Sequence, residues 1–149
     1  MYSLRRLAAL AVLAPLACGR PSAPQDVCLE VRASPNLNTY DGQPHVVVLN
    51  LYPLETPGGF QQLSSGDLMG GEKPAGAAGA PLQLTIAPGE EHPVRETFPA
   101  NTKDIGIVAD YYRAPGAPEG TRKLVVPAQC GRFGKTLVVL SPSDLVVEK

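Results

Sequence analysis

The side chains best suited to acid–base or metal chemistry in this sequence are its two histidines. His45 and His92 each lie beside a proline, in loop or strand-start positions. An imidazole could act as a general base or bind a metal ion. Neither histidine has another histidine or a cysteine at the spacing that metal sites use. The sequence therefore favours two solvated loop histidines, and it predicts no catalytic residue, no metal site and no cofactor.

The acidic and hydroxyl side chains also lack a catalytic arrangement. Glu90 and Glu91 are adjacent, so on a strand they would point to opposite faces rather than form a carboxylate pair. Asp110 is the one polar residue of an apolar segment. It is either buried and functional or, as we favour, on an outer face or bonded to loop backbone, because buried acids are rare unless paired. Residues 64–66 do not match a nucleophile elbow. We predict that the protein is not an enzyme.

Cys18 is the candidate lipid anchor. It follows Arg5, Arg6 and an uncharged apolar run over residues 7–16, which is typical of a signal peptide. A membrane-spanning helix would need about 20 residues. The Cys18 thiol would take a diacylglycerol, the chain would then be cut before Cys18, and the acyl chains would hold the protein on a membrane. Gly19 follows, and the absence of an aspartate there favours the outer membrane. The alternative is ordinary cleavage, with Cys18 left as a plain thiol.

Cys28 and Cys130 remain as a pair if Cys18 carries lipid. An oxidising periplasm or cell surface permits a disulfide between them. Such a bond would constrain the unfolded chain by about 4–5 kcal/mol in the chain-entropy model. Cys28 is in phase with Glu30 and Arg32 and not with the apolar face, so we expect the bond on an outer face or at an edge. Two separate thiols are the alternative.

Length and charge limit the organisation and the partners. The chain has 149 residues, a net charge of −1 and no basic stripe, so nucleic acid is not an expected partner. We expect a signal peptide over residues 1–17, a lipidated tether over residues 18–26 and one β-sandwich domain over residues 27–149. The proline-rich, polar tether cannot pack a core.

Short apolar segments separated by turn residues fill the expected domain. Val27, Leu29 and Val31 alternate with polar residues, which predicts a half-buried strand, and residues 46–51 are apolar on both faces, which predicts a central strand. Further strands are expected within residues 82–86, 94–98, 105–111, 124–126, 136–140 and 145–147. Seven or eight short strands without a long helical pattern predict an all-β sandwich, with one short helix in residues 61–69.

The order of these motifs resembles the TssJ family of type VI secretion lipoproteins, also called SciN or VasD. A lipoprotein signal precedes ASPNLN, DGQPHVVVLNLYPLE, Phe60, IAPGE and DIGIVADYYR. Asn36, Asn38 and Gly42 match the family's first loop, and Gly106 opens its glycine–valine–alanine–aromatic strand. The resemblance covers roughly residues 27–126.

The resemblance implies a transthyretin-like β-sandwich that is anchored in the outer membrane and faces the periplasm. In that family the lipoprotein binds the periplasmic C-terminal part of the inner-membrane protein TssM, which works with TssL, and so holds the envelope-spanning assembly. The family's contact is made largely by loops, including the one between the first two strands, which maps here to residues 34–44. Asn36, Asn38, Tyr40 and Asp41 are therefore the candidate partner-binding residues. The alternative is that these side chains only bond the backbone of a turn.

A periplasm-facing lipoprotein that binds a small molecule or carbohydrate is the second functional hypothesis. Such a module normally has convergent aromatic side chains for stacking, whereas this chain has three Phe, five Tyr and no Trp. A hydrolase would need a nucleophile beside a base, and the sequence has no such set. A β-sandwich alone would not decide between these functions, so the choice of the secretion lipoprotein rests on the resemblance.

Overall fold

The fold is known from a computed structural model that describes residues 23–115, 120–131 and 135–148. The signal peptide predicted over residues 1–17 and the predicted anchor Cys18 lie outside these residues. Eight strands and two short helices follow one another as β1 (Gln25–Ala33), β2 (Val47–Leu54), α1 (Gly58–Gln62), α2 (Ser65–Met69), β3 (Leu82–Ile86), β4 (Glu91–Phe98), β5 (Asp104–Ala109), β6 (Lys123–Pro127), β7 (Thr136–Leu140) and β8 (Leu145–Glu148). β1 thus begins earlier than the Val27 expected from the sequence.

The strands form two four-stranded sheets that pack face to face. The first sheet has the order β4-β1-β7-β8 and the second has the order β3-β2-β5-β6. β1 and β7 run parallel, and the other pairs are antiparallel. The alternating apolar side chains meet in one core, which includes Val27, Leu29, Val31, Leu49, Leu51, Ile105, Ile107, Val138 and Leu140. The structure therefore confirms the predicted all-β sandwich, with eight strands.

The strand directions divide the connections between two ends of the sandwich. We call the end where β1 begins the proximal end, because the N-terminal segment enters there. The opposite end, the distal end, carries the β1–β2 loop, the β3–β4 turn, the β5–β6 connection and the β7–β8 turn. Backbone hydrogen bonds tie these four connections together, among them Gly89 N–H to the Ser34 carbonyl, Asn38 N–H to the Pro142 carbonyl and Leu145 N–H to the Thr121 carbonyl.

The β2–β3 connection contains two short helices: α2 lies within residues 61–69, where one short helix was predicted, and α1 is an additional helix that begins before them. Leu63 has extended backbone angles, φ −73° and ψ 147°, which end α1. Ser64 then begins α2 with a capping box: its Oγ accepts from the Asp67 N–H at 3.1 Å, and the Asp67 carboxylate accepts from the Ser64 N–H at 3.2 Å. This capping box starts the second helix, in a segment for which the sequence predicted only one helix. In the part of the chain that the structure describes, no helix is long and apolar enough to cross a bilayer.

The two helices cover part of the outer face of the second sheet. Phe60 of α1 and Leu68 of α2 are buried against Tyr52 and Val108 on that face. Phe60 lies so close to β5 that a Cβ added at Gly106 would stand 2.7 Å from two of its ring carbons, which explains the glycine there. The helices thus protect the middle of this face, while the part next to the distal end stays uncovered.

Candidate functional site

The β1–β2 loop (residues 34–46) holds the predicted partner-binding residues at the distal end. Tyr40 and Gln43 pair as a minimal hairpin, each backbone N–H donating to the other's carbonyl at 3.1 Å. Asp41 and Gly42 between them have φ of 51° and 75°. Two successive positive φ angles define a type I′ turn, for which Asp-Gly is a preferred pair. The turn leaves Asp41 exposed at the tip.

Asn38 is buried inside this loop and bonds within the chain through every polar group of its side chain. Its Nδ2 donates to the Val46 carbonyl at 3.2 Å, and its Oδ1 accepts from the Tyr112 N–H at 2.7 Å. Its φ of 48° is in the left-handed region, which asparagine adopts more readily than most residues. Because its own N–H donates to the Pro142 carbonyl at 3.0 Å, Asn38 joins three of the four distal connections.

Asn36 is exposed, in contrast to Asn38. Its backbone N–H donates to Ser34 Oγ at 3.1 Å, and its carbonyl accepts from Thr39 Oγ1 at 2.9 Å. Both bonds use the backbone of Asn36, so its carboxamide stays on the surface. Of the predicted residues, Asn36 and Asp41 therefore present polar side chains outward, while Asn38 shapes the loop from within.

Tyr40 belongs to an aromatic cluster beside the hairpin. Its ring stacks on His45 with centroids 3.6 Å apart and planes 10° from parallel. The centroid of the Tyr112 ring lies 4.6 Å from that of Tyr40, and the two planes are tilted by 39°. His45 is thus half-buried against Tyr40 rather than freely solvated, and its Nε2 lies 3.3 Å from the Tyr40 carbonyl.

A groove of about 290 Å³ lies between the aromatic cluster and the uncovered part of the second sheet. We call it the distal groove; its lining is formed by Asn38, Tyr40, Val46, Val48, Asp110 and Tyr112. Val46 and Tyr112 are 51% and 55% exposed. Asp110 is exposed as well, and its backbone N–H donates to the carbonyl of Val48 in β2 at 2.9 Å. Sequence reasoning did not name Val46, Val48 or Tyr112 as candidate binding residues.

Asp144 fastens the β5–β6 connection to the β7–β8 turn. Its Oδ1 accepts from the Thr121 N–H at 2.6 Å and from the Arg113 guanidinium at 3.4 Å, and its Oδ2 accepts from Ser143 Oγ at 2.8 Å. These hydrogen bonds, that of Ser143 first, lower the pKa of the Asp144 carboxyl below its ordinary value. The Tyr111 hydroxyl donates to the Asp144 carbonyl at 3.0 Å, and burial raises the pKa of this phenol.

We therefore expect low pH to destabilise the fold at the distal end by protonating the Asp144 carboxylate. A carboxyl whose pKa is lower in the folded state stabilises the fold above its ordinary value of 3.8, and that stability is lost as the pH falls through the lower folded value. We expect Asp144→Asn to be less stable to urea than the wild type at about pH 6, by less than about 1 kcal/mol because the carboxylate is partly exposed. The difference should shrink toward about pH 3. A difference that stays constant or grows on acidification would contradict this prediction.

The remaining polar candidates have structural partners. Glu90 accepts from the Ala87 N–H at 2.7 Å, whereas Glu91 pairs with Arg32 at 3.0 Å, so the two carboxylates serve different contacts. His92 Nδ1 lies 3.1 Å from the Glu90 carboxylate. Within residues 23–115, 120–131 and 135–148, no three His, Cys, Asp or Glu side chains come together as a possible metal site.

A disulfide joins Cys28 of β1 to Cys130, which follows β6. The bond connects the first sheet to the end of the second, and the Cys28 N–H also donates to the Gln129 carbonyl at 3.1 Å. Cys28 is half-buried and Cys130 is exposed, so the bond lies on the outside of the sandwich. The pairing leaves Cys18 as the one cysteine of the sequence that is free for another modification.

The family to which the chain belongs follows from a match over most of its length. A family described as "Type VI secretion lipoprotein, VasD, EvfM, TssJ" matches residues 25–140, which include every strand except β8, the β1–β2 loop and the distal groove. The chain is a member of the TssJ family. It is therefore a membrane-anchored lipoprotein of a type VI secretion system, as the resemblance predicted, and its family is one of structural lipoproteins.

Solved structures share the fold of this TssJ family member at low sequence identity. The crystal structure of the T6SS lipoprotein TssJ1 from Pseudomonas aeruginosa is 23% identical with a TM-score of 0.69, covering 85% of this chain and 96% of that chain. A chain of a structure described as a type VI membrane complex is 22% identical with a TM-score of 0.72, covering 84% and 98%. A chain of a structure described as the T6SS protein TssM C-terminal domain from EAEC is 21% identical with a TM-score of 0.71, covering 84% and 98%. No curated protein matches the chain.

Proposed function

We propose that Cys18 becomes the acylated N-terminus after residues 1–17 are removed, and that it holds the protein in the outer membrane with the sandwich facing the periplasm. The family is one of lipoproteins, and the Cys28–Cys130 bond leaves Cys18 for the lipid. Gly19 in place of an aspartate supports the outer membrane. The tether is shorter than residues 18–26, since β1 already begins at Gln25.

In the periplasm the protein binds the periplasmic part of the inner-membrane protein TssM, and through it TssL, as a structural component of the secretion membrane complex and not as an enzyme. The observation that carries this proposal is the position of the β1–β2 loop at the distal end, opposite the tether. Residues 19–24 reach at most about 20 Å when fully extended. The proximal end therefore stays within about 20 Å of the membrane, and the distal loops lie at the end of the sandwich opposite this attachment, where the partner in the periplasm binds them.

The experiment that tests this proposal separates the anchor from the contact. Wild-type protein should fractionate with the outer membrane, and TssM and TssL should co-purify with it from detergent-solubilised envelopes. Cys18→Ser, which cannot carry the lipid, should no longer fractionate with the outer membrane. Replacement of residues 40–43 by a Gly-Ser segment of equal length should keep the protein in the outer membrane and remove TssM.

The matched control places the same Gly-Ser segment at residues 70–73, which belong to the proximal β2–β3 connection and are exposed. That variant should retain TssM. Equal recovery of TssM with the residues 40–43 variant would move the contact elsewhere on the protein. Recovery of no TssM with the wild type would contradict the partnership, and an inner-membrane location of the wild type would contradict the anchor.

A further inference from the structure

We infer that the distal groove is the seat for one segment of the periplasmic partner, and that this segment presents an apolar side chain beside a lysine or arginine. The inference rests on the proposed function and deepens it. It moves the centre of the contact from the tip of the β1–β2 loop to the outer face of the second sheet, where Val46, Val48, Asp110 and Tyr112 meet.

Exposed apolar surface is the first observation behind this inference. In the described part of the chain, the large exposed apolar side chains are Val46, Tyr112, Val146 and Val147. The first two line the distal groove together, whereas the other two lie on the edge strand β8, where Val147 lines a separate groove with a lysine, Lys135, in its lining. Contiguous apolar side chains with a polar rim are typical of interaction sites. The distal groove is also the part of its sheet that α1 and α2 leave uncovered.

The walls of the groove are held in place before any partner arrives. Tyr40 is fixed by the hairpin and by the stacked ring of His45. The backbone of Tyr112 is fixed by its hydrogen bond to Asn38, and its ring lies against Tyr40. Aromatic side chains that are already ordered lose little conformational freedom on binding. Tyrosine is also enriched among the residues that dominate interface energies.

The negative charge at the distal groove indicates which side chains of the partner it binds. Asp110 is exposed in the lining, and Asp41 stands at the tip of the hairpin that carries Tyr40. Within the residues that the structure describes, neither carboxylate belongs to an ion pair. Arg113, the cation that follows Tyr112, pairs with Asp144 instead. A lysine or arginine on the partner would complement these carboxylates, whereas an acidic segment would be repelled.

Binding of the purified periplasmic part of TssM to the mature acylated lipoprotein in nanodiscs tests the inference. Val46→Glu places a charge in the apolar floor, and Asp110→Lys reverses the charge at the rim. Each should weaken the affinity at least about tenfold. For the wild type the affinity should also fall as salt rises, and Asp110→Asn should reduce that dependence because the screened attraction is gone.

Two controls match these variants in residue type and exposure. Val147→Glu alters an exposed valine on β8, and Glu72→Lys reverses an exposed charge in the proximal β2–β3 connection; both should bind TssM as the wild type does. Equal urea midpoints for all variants would show that folding is intact. Wild-type affinity for Val46→Glu and Asp110→Lys would overturn the inference and leave the proposed function standing. Absence of binding by the wild type would overturn both.

Discussion

Replacing Asn38 with alanine should lower the free energy of unfolding by about 3 kcal/mol and disorganise the distal loops. The change leaves the Tyr112 N–H and the Val46 carbonyl without their partners. A buried polar group that loses its hydrogen bond costs about 1–3 kcal/mol. Alanine also disfavours the left-handed conformation that residue 38 adopts, at φ 48°, by about 1–2 kcal/mol. Urea denaturation measures the stability, and TssM affinity should fall with it because Tyr40 and Tyr112 lose their relative position.

Asn36→Ala is the matched control for this prediction, since it changes the same residue type in the same loop. The carboxamide of Asn36 is exposed, and the turn at Asn36 is bonded through its backbone. We expect a change in stability within about 0.5 kcal/mol. Equal losses for Asn36→Ala and Asn38→Ala would contradict the structural role of Asn38. Loss of TssM affinity in Asn36→Ala at unchanged stability would instead assign its side chain to the contact.

The strands of this fold could be predicted from the sequence because a strand that is buried on one face alternates apolar and polar residues. Val27, Leu29 and Val31 alternate with polar residues and are buried in the core. The same reasoning gave a wrong expectation at the start of the next strand, β2. Residues 46–51 are all apolar apart from Asn50, which predicted burial on both faces, yet Val46 precedes β2 and is 51% exposed. The sequence pattern shows which residues are apolar, but it does not show which part of the second sheet α1 and α2 cover.

The roles of the loop residues could not be predicted from the sequence for a different reason. Asn36 and Asn38 have the same side chain two positions apart, and both fit a turn. What distinguishes them is a contact between Asn38 and Tyr112, which lie 74 residues apart in the chain. The distal groove likewise combines the ends of β2 and β5 with a hairpin. Such a site exists only once the two strands pair and the loops close over their ends.

Replacing Cys28 and Cys130 together with serine should lower the free energy of unfolding by about 4–5 kcal/mol. The disulfide joins residues separated by 102 positions, so its loss frees nearly the whole unfolded domain. Native domains are stable by only about 5–15 kcal/mol, so the variant should be degraded in the periplasm or recovered at low yield. The urea midpoint of the purified lipoprotein, with and without reductant, measures the loss.

Reductant supplies the control for the disulfide, because it should reproduce the loss in the wild type and leave the double serine variant unchanged. The bond lies outside the sandwich with Cys130 exposed, so reductant can reach it in the folded protein. If Cys18 carries lipid, the intact lipoprotein should take up no thiol reagent, and reduction should expose only Cys28 and Cys130. Labelling without reduction would show that the exported protein keeps separate thiols, and the sheets would then be held at the proximal end by packing and hydrogen bonds alone.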